Sequence, residues 1–156
     1  MRARRKWLTY NFIFHVIMCS HICSTKIGPE VFSFISKVTN QPPNGTDDGN
    51  FTGNAITAAD LAFNSQHGFY IFDGGADYIL RPEVLESNFY AWRVTGNQKY
   101  LANAQSAIQS YLKFLEVPGG QGGVSGIFDV NNATITDDDR VDDTESFFFA
   151  EVMKYL

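Results

Sequence analysis

The stretch Tyr78-Ile-Leu-Arg-Pro-Glu-Val-Leu-Glu-Ser87 constrains the fold most, because Pro82 within it and Gly96 beyond it mark the two ends of one helix. Pro82 suits the first position of a helix, where its missing N–H is no loss, and Gly96 after Thr95 supplies a stop. Between them the spacing predicts about four turns of helix. Glu83 and Glu86 then fall on one face, about 5–6 Å apart at Cβ, with Arg81 immediately before them. Paired glutamates in a first turn either complement the helix macrodipole on a solvated face or belong to a site, and the residues alone leave both readings open.

A second helix is predicted from Gln98 to Leu115. Tyr100, Leu101, Ala104, Ala107, Ile108, Tyr111, Leu112 and Leu115 recur at the three-and-four spacing of a buried stripe, and Val117-Pro118-Gly119-Gly120 ends it. With so short a link at Gly96-Asn97, the two helices should pack antiparallel. Upstream, Gly28-Pro29-Glu30 reads as a turn feeding a short strand over Val31–Ile35, and Gln41–Asn50 reads as an exposed polar loop. The aromatic run from His67 to Gly75 suggests a strand or hairpin leading into the first helix. Downstream, Gly119–Gly126 forms a glycine-rich loop before a short strand at Ile127–Val130. That loop lacks the Lys-Ser/Thr of a phosphate-binding loop.

Charge is unevenly spread over the 156 residues. Arg2, Arg4, Arg5, Lys6 and Lys26 meet no acid before residue 27, leaving seven of the 12 bases against all 17 acids, a balance of minus ten. So acidic a body argues against nucleic acid as a partner and suits a neutral sugar polymer or a cation, an acidic soluble surface with no partner being the commoner explanation. The basic start followed by an apolar run to Cys19 has the length of a signal peptide, although Asn11 and His15 interrupt it. Residues 1–24 are therefore read in two ways, as a signal or membrane anchor or as a gene-model artefact. Cys19 and Cys23 lie in that segment and do not make a metal site by their spacing. His15, His21 and His67 are too scattered for a metal or nucleophile motif. Asp137–Asp143 has Asp142 and Phe148 where a helix-loop-helix calcium loop needs glycine and glutamate, so it is expected to be a solvated loop with an Asp or Thr144 as a helix cap. Three glycosylation sequons begin at Asn44, Asn50 and Asn132.

The block from Tyr78 to Ser87, continued by Phe89-Tyr-Ala-Trp-Arg-Val-Thr-Gly96 and Tyr100, resembles the Leu-Arg-Pro-Glu block of the class I alpha-1,2-mannosidases, glycoside hydrolase family 47. Lys26–Phe34 resembles that family's Gly-Pro-Glu segment, and Glu145–Leu156 its Glu-Ser-Phe helix, in the family's order. The resemblance covers roughly residues 25–156. It implies a mainly α fold, a partial alpha/alpha barrel built as a toroid of helix hairpins with short β segments, incomplete as a domain. A C-terminal fragment of such an enzyme is the expectation.

The resemblance also implies the chemistry: calcium-dependent, inverting removal of terminal alpha-1,2-mannose from high-mannose N-glycans in the secretory pathway. Inversion needs an acid and a base about 6.5–9.5 Å apart. Glu83 and Glu86 are too close to be that pair. Glu83 falls where the family has its water-activating base, Glu86 and Glu151 where carboxylates face Ca2+ through water, Phe147 on the aromatic floor although by itself it reads as an ordinary core aromatic, Arg81 where it would contact substrate or hold the base, and Glu145 on a sugar contact. The family's general acid belongs before the Gly-Pro-Glu segment, and the threonine that binds calcium directly belongs beyond the Glu-Ser-Phe helix. Neither block occurs in the chain, so it is expected to show little or no mannosidase activity alone. The alternatives are a non-catalytic mannose-glycan recognition module of glycoprotein quality control, or a gene-model remnant.

Overall fold

A computed structural model describes residues 22–35, 56–71, 74–119 and 122–156. Most of the N-terminal segment, with Cys19, His15 and His21, lies outside the described residues, as do the polar loop and the sequons at Asn44 and Asn50. The described part is rich in helix with few strands. In chain order it has β1 (Phe32–Ser33), α1 (Ala58–His67), β2 (Tyr70–Ile71), α2 (Glu83–Thr95), α3 (Lys99–Phe114), a 3₁₀ turn at Asp137–Asp139, a π turn at Phe148–Val152 and α4 (Met153–Tyr155).

The helix at the centre of the sequence forms within a residue of its expected bounds. Pro82 sits at the cap rather than the first position, its carbonyl accepting the Glu86 N–H at 2.8 Å, and Gly96 closes the helix in the left-handed region. Helix α3 likewise runs one residue short of expectation at each end. The two pack as an antiparallel hairpin: Asn88 in the middle of α2 meets Tyr100 and Asn103 near the start of α3. The Asn88 Nδ2 donates to the Tyr100 carbonyl at 2.6 Å, and its Oδ1 accepts from Asn103 at 3.2 Å, so this buried amide uses both ends.

The buried face of α3 differs from its apolar stripe. Ala104, Tyr111 and Leu115 are buried as expected, together with Ser110 and Phe114, but Leu101, Ile108 and Leu112 are exposed. Helix α2 covers only part of an arc that wide.

Strand pairing is smaller than the sequence suggests. The expected strand over 31–35 shrinks to Phe32–Ser33, antiparallel to β2 with Phe32 opposite Ile71. Ile127–Val130 contributes single bridges, Ile127 pairing with both Tyr78 and Arg140. Helix α1 is not anticipated by the sequence reading. Thr57 and Asp60 form a reciprocal capping box at its start and Gly68 turns left-handed at its end, which holds a helix with no fully buried residue. Thr144 does not cap a helix, since its hydroxyl donates to the Val124 carbonyl; the capping residue of the acidic stretch is Thr136, paired with Asp139.

One core joins the hairpin to the irregular segments around it. Cys23, Ile27, Tyr78, Leu80, Leu85, Tyr111, Leu115, Ile127, Val130, Phe148 and Val152 pack together, and Phe147 lies against their edge. Arg140 ties this core to the end of α3, its Nη1 donating to the Phe114 and Leu115 carbonyls at 3.1 and 3.2 Å. A cation there complements the negative end of the helix. Among the described residues no helix is long and apolar enough to cross a membrane.

Candidate active site

The backbone leading into α2 is fixed before any charged group is placed. Tyr78 exchanges both main-chain hydrogen bonds with Ile127, at 2.9 and 3.0 Å. Its hydroxyl donates to the Arg81 carbonyl at 3.0 Å and lies 2.6 Å from the Tyr111 hydroxyl. Because a phenol has one proton, Tyr111 is the donor in that second bond. Burial first, and then the neighbouring phenol and carboxylates, push the Tyr78 hydroxyl well above its ordinary range, so it stays a donor. Between these anchors Leu80 takes φ +68°, a left-handed backbone that a branched side chain adopts only when its surroundings impose it. Leu80 is buried in the core, and the turn delivers Arg81 to the surface.

Arg81 then stands among carboxylates. Its Nε is 2.6 Å from Glu30 Oε2, while its Nη1 is 3.9 Å from Glu83 Oε1. The two ends differ in environment: the Glu30 side chain is 10% exposed and that of Glu83 58%. Glu30 also accepts the Ile79 N–H at 3.0 Å. Burial raises the Glu30 carboxyl above its usual range, opposed by the Ile79 N–H and by Arg81; burial raises Asp77 as well, opposed by its own backbone and by Arg81. The guanidinium carbon lies 5.9 Å from the centre of the Phe147 ring, a cation over an aromatic face.

Of the six residues singled out in the sequence, three meet here: Arg81, Glu83 and Phe147. Phe147 packs against the core and lies beneath the guanidinium. Glu86, one turn along α2, accepts a hydrogen bond from the Tyr155 hydroxyl at 3.1 Å. Glu151 is exposed on the π turn and shares that tyrosine, whose hydroxyl is pushed up to about 12 by burial, then by the bond to Glu86, with Glu151 adding a smaller effect. Glu145 stands apart from Arg81's contacts, lining a small cavity with Ile79, Leu80, Gly126, Val141 and Asp143. Glu30, Tyr78 and Tyr155 are participants to which the sequence reading gives no role. Glu30 lies 49 positions from Ile79, which it binds, and no local pattern signals so distant a partner.

The donors around Tyr155 are carboxylate oxygens, the kind a hard cation takes, but they are two. Among the described residues no group of three or more acidic, histidine or cysteine side chains is arranged to hold a metal ion. Glu86 and Glu151 alone do not make a direct calcium coordination sphere, which needs six to eight oxygens.

A half-exposed carboxylate at the start of a helix, held near a fixed guanidinium and an aromatic ring, is the kind of site a glycosidase uses. The sequence profile of glycosyl hydrolase family 47 matches residues 13–156, beginning ahead of Thr25. Mannosyl-oligosaccharide alpha-1,2-mannosidase 1B of Aspergillus phoenicis is 41% identical over 134 residues, covering 84% of this chain and 21% of that protein. The enzyme of the same name from Emericella nidulans is 37% identical over 131 residues, with 84% and 21% covered. Among solved structures, alpha-1,2-mannosidase from Trichoderma reesei superposes with a TM-score of 0.70 at 32% identity, over 90% of this chain and 25% of that one. The chain belongs to glycosyl hydrolase family 47. It spans about a fifth of the length of the curated relatives it matches.

Proposed function

We propose that this chain is the part of a calcium-dependent, inverting alpha-1,2-mannosidase that carries the water-activating base and the floor of the sugar site, acting on terminal mannose of high-mannose N-glycans. The observation that carries the reading is the grouping of Glu83, Arg81 and Phe147 at the N-terminus of α2. Glu83 has the exposure to meet a water molecule and a geometry, 3.9 Å from Arg81, that leaves its oxygens uncommitted to a short ion pair. In this reading Glu83 takes the proton from water as it attacks the anomeric carbon. With Nε committed to Glu30, the Nη edge of Arg81 is the part that donates to a sugar hydroxyl, and Phe147 presents an apolar face to the C–H side of the ring. Calcium, when bound, supplies a charged centre that gathers sugar hydroxyls and water. The residues here that would face it are Glu86, steadied by Tyr155, and Glu151. Glu145, beside the Leu80 turn, is the candidate for an outer sugar contact.

The same reading makes the α2–α3 hairpin one unit of an alpha/alpha barrel. Its support is the exposed apolar set Val94, Leu101, Ile108 and Leu112, a surface suited to neighbouring helices. A secretory address is supported by the sequon at Asn132, a half-buried residue whose Oδ1 accepts the Thr134 N–H at 2.9 Å and whose Nδ2 donates to Asp139 at 3.1 Å. A recognition module that binds mannose glycans without cleaving them would use the same Arg81–Phe147 pair, since neither group needs to move a proton.

One experiment separates cleavage from binding. The aligned stretch of the Aspergillus phoenicis enzyme is replaced by that of this chain, with and without Glu83→Gln. The parental chimera should turn over an alpha-1,2-linked mannose substrate, and the variant should lose about 10²- to 10⁴-fold in turnover while keeping its glycan affinity. A variant within a few-fold of the parent would reject Glu83 as the base, and a chimera that binds glycan without turnover would favour the recognition module. The 156-residue chain alone should not turn over substrate and should bind calcium weakly. Submicromolar calcium affinity in calorimetry would instead mark an autonomous calcium-binding module.

A further inference from the structure

The position of Arg81 relative to Glu83 is not explained by those two residues. A guanidinium two residues from an exposed carboxylate is free to close to a hydrogen-bonded pair of about 2.8 Å. Here the separation is 3.9 Å, and the short contact is on the other side, 2.6 Å from Nε to Glu30. Glu30 is equipped to win that competition. Its side chain is largely buried, and its second oxygen is held by the Ile79 N–H at 3.0 Å. Its own main-chain N–H is bonded to the Asp77 carbonyl at 2.8 Å, so backbone and carboxylate are both fixed. An ion pair with both ends exposed contributes little because ordering two long side chains offsets the attraction. With one end already immobile, only Arg81 has to be ordered. The backbone is arranged to the same end: Tyr78 pins the Arg81 carbonyl, and Leu80 holds a strained left-handed conformation between them.

We propose that Glu30 is a positioning residue of the site: it holds the Arg81 guanidinium by its Nε edge, so that the cation stays beside Glu83 and over Phe147 without capturing the Glu83 carboxylate. Glu30 does not touch the reacting atoms; it acts through Arg81. This rests on the mannosidase reading of Glu83. Loss of the Glu30 charge frees the guanidinium to close on Glu83, which covers the oxygen that must accept the proton and withdraws the donor edge from the sugar.

The test uses the same chimera with Glu30→Gln and Glu30→Asp. Glutamine keeps the size of the side chain and an acceptor for the Ile79 N–H, so a purely structural role would leave it nearly silent. Turnover in Glu30→Gln should fall about 10- to 100-fold, the cost of an ångström-scale misplacement, and Glu30→Asp should recover most of it. On an Arg81→Lys background Glu30→Gln should add no further loss, because the partner it positions is already altered. A second readout needs no activity: in the 156-residue chain the Arg81 Nε–H should give a proton resonance protected from exchange, absent in Glu30→Gln. Turnover of Glu30→Gln within twofold of an active parent, additive losses with Arg81→Lys, or an Arg81 Nε–H exchanging as fast as that of exposed Arg93 would each overturn the proposal. An inactive parental chimera would reject the mannosidase reading instead, and the Arg81 resonance would still decide the positioning.

Discussion

In the α2–α3 hairpin the chain holds itself together with neighbours: helix bonds, a glycine at the turn, and Asn88 reaching across to Tyr100 and Asn103. In the segments around it the bonds run between distant parts of the chain. Thr25 donates through both N–H and hydroxyl to the Val130 carbonyl, 105 positions away; Tyr78 pairs with Ile127; Val141 donates to Gly126. The site is built where the two meet, Glu83 and Glu86 coming from the hairpin and Glu30 and Arg81 from the irregular side. A helix can present a carboxylate at a chosen level, but fixing a long flexible guanidinium takes contacts from more than one direction, which the irregular side supplies.

If that irregular side is as closed as its bonds suggest, the largest measurable consequence is chemical silence at Cys23. Burial first, and then the charge of Asp129, push this thiol up to about 12. A raised thiol pKa means the protonated, unreactive form persists at every pH below that value, and the thiolate appears only as pH rises through it. At pH 8, alkylation by iodoacetamide should therefore be about 10²- to 10³-fold slower in the native chain than in denatured chain, where the pKa returns to about 8.5. Measured on a Cys19→Ser background so that one thiol is followed, a native rate within tenfold of the denatured one would show that these segments open readily.

Gly126 tests the same region sterically. A Cβ built there would lie 2.6 Å from the Tyr78 carbonyl oxygen and 3.3 Å from the Ile79 Cα, both backbone atoms of the turn that delivers Arg81. Neither can rotate away. Gly126→Ala should cost about 2–4 kcal/mol, lowering the thermal midpoint by about 5–10 °C. It should also weaken the Arg81–Glu30 pair, read as faster exchange at the Arg81 Nε–H. A midpoint within a degree of wild type would mean that the bridge between Tyr78 and Ile127 is loose.

These two regions were unequally legible in the sequence, for a physical reason. The hairpin's bounds follow from Pro82, Gly96 and a three-and-four periodicity, all local, and they come within a residue of the structure. Yet periodicity reports which residues are apolar and not what covers them, so Leu101, Ile108 and Leu112 read as buried and are exposed. Helix α1 carried its signal in Thr57, Asp60 and Gly68, but with no buried face it has no periodicity to notice. On the irregular side the sequence supplied residue types without partners. The Gly-Pro-Glu turn was visible, whereas the reach of Glu30 to Ile79 and Arg81 depends on how distant segments cross. The grouping of Arg81, Glu83 and Phe147 came from family resemblance, because no spacing rule brings a residue at 147 beneath one at 81.

Within the hairpin the expected effects are smaller and local. Asn88→Ala should remove the two hydrogen bonds that join α2 to α3, to the Tyr100 carbonyl and from the Asn103 amide, at a cost of about 1–2 kcal/mol by denaturant titration. Unlike Gly126→Ala, it should leave the Arg81 Nε–H protected. Loss of that protection would mean that strain at the hairpin's centre is transmitted into the site.

The smallest effect should come from Gly96→Ala, the counterpart of the Gly126 substitution. Gly96 ends α2 at φ 66° and ψ 8°, and its N–H donates to the Trp92 carbonyl at 2.7 Å. A Cβ there would meet nothing within 4 Å, so the only cost is holding an L-residue in the left-handed region, about 1 kcal/mol. Asparagine tolerates that region better, and Gly96→Asn should therefore fall between glycine and alanine. The order wild type, Gly96→Asn, Gly96→Ala, Gly126→Ala in thermal midpoint separates the two reasons a glycine is needed, backbone sign at the hairpin and bare space beside Tyr78. If Gly96→Ala proved as damaging as Gly126→Ala, the turn between α2 and α3 would be packed against something more than solvent, and the contrast between a self-sufficient hairpin and a mutually braced remainder would not hold.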